Sequence, residues 1–120
     1  MVKANYVDGF VLSVPKKNLN AYKKLAKVAA KVWVEHGALD YKECVGDDMH
    51  PKWAYPFPKL ARAKPGEVVF FSYVTYKSKA HRNQVNAKVM KDDRINCDPK
   101  KLPFDCKKMA YGGFKVFVSN

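Results

Sequence analysis

Asp8 stands inside the stretch "NYVDGFVLSVP", where every second neighbour on either side is apolar or aromatic. A carboxylate in such a strand is costly to bury unless it is paired or protonated, and a raised pKa would suit it to general-base work. The second chemical stretch is "PFDCKKMAYGGF", residues 103–114. It offers Lys108 and Tyr111 as polar partners for Asp8, with Tyr6 two positions before the acid. Asp8, Tyr111 and Lys108 are therefore the catalytic candidates, and Tyr6, Asp8, Lys108, Tyr111 and Gly113 the ligand-binding ones. The structural alternative for Asp8 is an ion pair with Lys108 or a bond to a backbone amide. Gly112-Gly113 opens a strand-like run rather than a helix, so the pair does not read as a phosphate cradle. It reads as a place where another backbone, a side chain or a ligand comes close.

Other groups carry less. "GDDMH" gathers Asp47, Asp48 and His50 after a strand, but three turn residues without a fourth ligand read as solvated carboxylates, and no metal site is assigned. His36 falls at a helix end, where a cation suits the dipole, and His81 in the first turn of a later helix. Cys44, Cys97 and Cys106 are odd in number and lack CxxC spacing, so neither a zinc site nor a disulfide framework is encoded. Lys108 close to Cys106 could activate that thiol, and Cys97 could form a redox pair with it; plain free thiols are the simpler reading. No cofactor is implied.

These residues need a scaffold, and the hydrophobic periods supply one. Residues 5–14 and 67–76 read as strands apolar on both faces, and 39–45 and 109–118 as more polar edge strands. "NLNAYKKLAKVAAKVWVEHG" reads as a helix, with Asn18 or Asn20 as its cap, Gly37 beyond its end, and Tyr22, Leu25, Ala26, Ala29, Val32 and Trp33 on one face. "SKAHRNQVNAKVMKD" reads as a second helix capped by Ser78. Residues 47–66, with four prolines, form a long loop.

The order is β-α-β-β-α-β in a single domain, residues 1–120. It predicts an α+β ferredoxin-like plait, a four-stranded antiparallel sheet with two helices on one face. Two helices cover one side only. The bare side is expected to bury itself against a second copy, making a homodimer through the sheet face.

The chain has 120 residues and a formal net charge of +12. The excess is nearly all lysine, since the only arginines are Arg62, Arg82 and Arg94. That argues against base-specific nucleic-acid reading and leaves RNA or another polyanion as the alternative partner. The N-terminus lacks a secretory h-region and no apolar run reaches transmembrane length, so a cytoplasmic protein without a membrane partner is expected.

The segments at 6–15, 37–49, 64–82, 89–95 and 103–114 together resemble the YbaA-like family (DUF1428), a domain of unknown function in the dimeric α/β-barrel superfamily. The resemblance implies the plait and the sheet-to-sheet dimer, and no established activity. Asp93, Tyr73, Cys106 and Lys108 depart from the family's usual proline, tryptophan, glycine and arginine. Other members of the superfamily perform cofactor-independent oxygenation, so a monooxygenase-like enzyme stands as an analogy of fold. The residues themselves favour a small organic ligand in the cleft between sheet and helices.

Overall fold

The structure is a computed structural model that describes residues 2–95 and 98–120. Strand β1 (Tyr6–Pro15) leads through a single 3-10 turn into helix α1 (Leu19–Glu35), followed by β2 (Asp40–Val45). A one-turn helix α2 (Phe57–Leu60) interrupts the long loop before β3 (Glu67–Tyr76). Helix α3 (Lys79–Met90) and two 3-10 turns then precede β4 (Ala110–Lys115). The sheet order is β2-β3-β1-β4, all pairs antiparallel. The two strands apolar on both faces are thus central, and the sheet is open, with β2 and β4 as its edges.

The register decides which side chains share a face. Tyr6 lies opposite Tyr76, Asp8 opposite Val74 and Phe10 opposite Ser72. This set faces the helices. Val32 of α1 and Val85 and Val89 of α3 pack on Tyr6, Val74 and Tyr76 in one cluster. A second cluster joins Leu12 and Val14 to Tyr22 of α1. The 3.6-residue spacing of α1 therefore buries Tyr22 and Val32, while Leu25, Ala26 and Ala29 stay half-buried above the sheet. Lys23, Lys24, Lys27 and Lys31 cover its outer side.

Gly37 ends α1 with φ +117°, a backbone conformation that favours glycine. Ser78 caps α3, its hydroxyl accepting from the His81 amide at 3.1 Å. Asn18 precedes α1, but its side chain does not cap. It donates instead to the Pro103 carbonyl at 3.1 Å and ties the loop before β4 to the start of the helix.

The opposite face of the sheet carries Val7, Val11, Phe71 and Phe114, the last two largely exposed. It is not bare along its whole length. At one end Ser13 and Val69 are buried, and so is Ala61 in the chain between β2 and β3. The final strand is shorter than the hydrophobic run suggests. Phe117 and Val118 lie beyond it and are almost fully exposed, because β1 has no residues left to pair with them.

Candidate functional site

Between α1 and the sheet lies a cavity of about 510 Å³, walled by Phe10, Leu12, Leu25, Ala29, Trp33 and Phe104. Its existence follows from the α1 sequence. Three of the residues aimed at the sheet are no larger than leucine, so the helix cannot fill the space beneath it.

At the floor is a polar cluster built by the β2–β3 register. Tyr41 and Glu43 are two apart on β2 and so share a face, and Ser72 is the partner of Glu43 on β3. Tyr41 donates to Glu43 Oε2 at 2.7 Å, while Tyr22, from α1 above, donates to Oε1 at 2.7 Å. The Ser72 hydroxyl donates to the same Oε1. Burial, and then the charge on Glu43, pushes the pKa of both Tyr22 and Tyr41 far above the ordinary phenol value. Both phenols therefore stay protonated and serve as donors.

A second opening of about 480 Å³ reaches the same carboxylate from the β2 edge, past Leu19, Lys27, Val45 and Phe70. Tyr22, Ala26, Tyr41 and Glu43 line both spaces. Helix α1 thus arches over Glu43 with access on either side.

The residues singled out by the sequence lie elsewhere on the same face. Asp8 is buried and pairs with Arg82, whose Nη1 stands 3.0 Å from Oδ1. The same nitrogen donates to the Tyr111 hydroxyl at 2.6 Å, and Nη2 reaches the Tyr6 hydroxyl at 3.4 Å. The guanidinium also sits 5.1 Å over the Tyr6 ring. Gly113 is needed there, since a Cβ would run into the Tyr6 ring and hydroxyl. Asp8, Tyr6, Tyr111 and Gly113 are therefore brought together around Arg82.

Lys108 does not join them. It pairs with Glu67 at 2.9 Å, at the other end of β3, so the expected Asp8–Lys108 pair is corrected to Asp8–Arg82 and Lys108–Glu67. The physical reason is reach: Glu67 pairs with Pro15, seven positions along β1 from Asp8. Asp105 caps the turn that carries Lys108, its side chain accepting from the Lys107 amide.

The two clusters are joined by packing. The Trp33 indole donates to Asn86 at 3.2 Å, and the Tyr76 hydroxyl donates to the same oxygen at 3.3 Å. Phe10 stacks on Tyr111 with centroids 4.8 Å apart and also walls the cavity. His36 meets Asp92 at 2.8 Å, and Arg94 links Asp92 to Glu35 on the cavity rim. Among the described residues no three His, Cys, Asp or Glu side chains gather as metal ligands. Cys44 and Cys106 are exposed, and Cys97, the other half of a Cys97–Cys106 redox pair, lies outside the described residues. Among the described residues no helix is long and apolar enough to cross a membrane.

Glu43 and Arg82 were missed by the sequence reading. The signal for Glu43 is its position: on β2 it falls in the set Leu39, Tyr41, Val45, where an acid breaks an apolar face. Arg82 gives no such signal, because an arginine in the first turns of a polar helix reads as solvated.

The model of a family described as a protein of unknown function (DUF1428) matches residues 5–106. The "Uncharacterized protein YbaA" of Escherichia coli strain K12 is 39% identical over 113 residues, 94% of this chain and 97% of the relative. The Shigella flexneri protein of the same description matches to the same extent. The chain belongs to that family.

Proposed function

We propose that this member of the DUF1428 family binds a small, largely apolar organic molecule in the cavity between α1 and the sheet. One observation carries the reading: an apolar space of about 510 Å³ with a hydroxyl-ringed carboxylate at its floor. Pockets of this size and make-up, apolar walls with a few converging polar groups, are where small ligands sit. The Asp8–Arg82 cluster adjoins the cavity through Phe10 and Tyr111 and supports its wall.

The test uses indole as a neutral apolar probe, followed by amide NMR. Indole is expected to move the resonances of Leu25, Ala29 and Trp33, and Ala26→Phe, which fills the space under α1, is expected to abolish the response. Resonances unmoved at millimolar indole, or an undiminished response in a folded Ala26→Phe chain, would refute the reading.

The same reading takes the protein to act as a homodimer joined through the open sheet face. Phe71 and Phe114 are 47% and 62% exposed there and flank Gly9, whose missing side chain lets the Phe114 ring lie close over the strand. Covering such a surface stabilises by about 25 cal/mol per Å² of apolar area. Sedimentation is expected to give a dimer that Phe114→Asp converts to a monomer. A wild-type monomer at micromolar concentration contradicts this part.

A further inference from the structure

We infer that the ligand is an organic cation, an amine with an apolar or aromatic body, whose ammonium group is held by Glu43. This rests on the proposed cavity and adds the chemistry of its occupant.

The bonding around Glu43 carries the inference. Oε1 accepts from Tyr22 and Ser72, whereas Oε2 accepts from Tyr41 alone. A carboxylate offers about four acceptor positions, so one remains open on Oε2. All three donors are neutral hydroxyls. Among the described residues no Lys, Arg or His nitrogen lies within salt-bridge distance of Glu43, while six ion pairs occur elsewhere among them. This half-buried carboxylate faces apolar space with hydrogen bonds but no countercharge. Removal of a charge from water is costly unless an opposite charge accompanies it. A cationic ligand supplies both the missing donor and the missing charge.

The walls suit the same occupant. Tyr22, Tyr41 and Trp33 border the space around the carboxylate, and the Trp33 and Tyr41 rings stand 6.0 Å apart. Aromatic faces attract ammonium groups, most strongly where water is excluded. A carboxylic acid in the ligand would meet Glu43 as a like charge at the floor. The basic residues at the mouth do not reverse this. Arg94 is engaged by Glu35 and Asp92, and Lys24 and Lys101 are exposed, where salt screens them over about 8 Å.

The experiment compares three probes of one shape: phenethylamine, phenethyl alcohol and phenylpropionate. Calorimetry gives affinity, and the Trp33 indole resonance reports occupancy. Charge-assisted bonds exceed neutral ones by roughly a factor of two in energy, so the amine is expected to bind about tenfold or more tighter than the alcohol. The acid is expected to bind weakest. Glu43→Gln, which keeps the shape and removes the charge, is expected to erase the amine's advantage. If that variant does not fold, Ser72→Ala serves instead. It frees a second acceptor position and is expected to keep or raise the preference for amine.

An alcohol that binds as well as the amine overturns the inference, as does an acid that binds best or an amine preference that survives in folded Glu43→Gln. In each of these cases indole still binds and the cavity stands. Failure of indole and all three probes together removes the cavity and the cation at once.

Discussion

Arg82→Met should be among the most damaging single changes outside the apolar core. Asp8 is 2% exposed and the Arg82 side chain 14%, so neither charge is well solvated by bulk water. Removing one partner of a buried pair costs about 3–5 kcal/mol, because the other charge is left uncompensated. The nearest alternative donors to Asp8 are tyrosine hydroxyls, and Tyr111 itself relies on Arg82 for its 2.6 Å bond. A domain of this size has a stability of about 5–15 kcal/mol, so roughly a fifth or more of it is at stake. With a urea slope of about 2 kcal/mol per molar, the midpoint should fall by about 2 M. The double variant Asp8→Asn with Arg82→Met should recover part of that loss, since it no longer buries a lone carboxylate. Equilibrium urea unfolding of the four chains gives the cycle. A loss under about 1 kcal/mol for Arg82→Met, or simple additivity of the two changes, would refute the claim that Asp8 and Arg82 are coupled in the interior.

The two adjacent glycines of β4 should respond differently to alanine. A Cβ on Gly113 meets Tyr6 Cε2 at 3.0 Å and its hydroxyl closer still, so Gly113→Ala should cost about 1–3 kcal/mol. A Cβ on Gly112 meets Phe114 at an ordinary 3.6 Å, and Gly112→Ala should melt close to wild type. Equal melting temperatures for the two would contradict the packing of Tyr6. In alkali, Tyr22, Tyr41 and Tyr76 should resist ionisation, burial being the main cause for each, followed by the charge of Glu43 or Asp8. Their folded pKa values lie above the unfolded one, so their contribution is complete below about pH 10 and is lost as pH rises beyond it. An ultraviolet tyrosinate titration should therefore show these three ionising together with unfolding. Their ionisation in the folded chain at an ordinary phenol pKa would argue against the buried hydroxyl cluster.

The fold was legible because its signals are local and periodic. Alternation in residues 67–76, the 3.6-residue spacing in α1 and the caps at Ser78 and Gly37 each act over a few positions, and the plait's connection rules do the rest. The candidate site was only half legible, and the reason lies in what joins it. Asp8 was visible as an acid in an apolar strand, but its partner is 74 positions away on a helix whose sequence looks solvated. Lys108 lay near in the chain to Tyr111 and Gly113, and that proximity suggested membership. The 3-10 turn carries it toward Glu67 instead. The stretch at 103–114 thus serves several places at once. Its Phe104 ring meets Tyr22 at 5.7 Å over the cavity, Lys108 goes to Glu67, Tyr111 goes to Arg82, and Gly113 makes room for Tyr6.

Glu43 shows the same limit from the other side. Its partners come from β2, β3 and α1, and only the antiparallel register that sets Glu43 against Ser72 brings them within bonding distance. A one-residue slip of β2 would turn the carboxylate to the opposite face. Its neighbour Tyr41 holds it inward, because its own partial burial against the core depends on the same alternation. The apolar pattern that specifies the strand's register is therefore also what delivers an uncompensated carboxylate to the cavity floor. Valine or leucine there would strand the buried Tyr22 and Ser72 hydroxyls, at about 1–3 kcal/mol each, whereas glutamine would still accept from them without a charge. The fold needs an acceptor at this position for its three hydroxyls, and a bound cation is what would need the acceptor's charge.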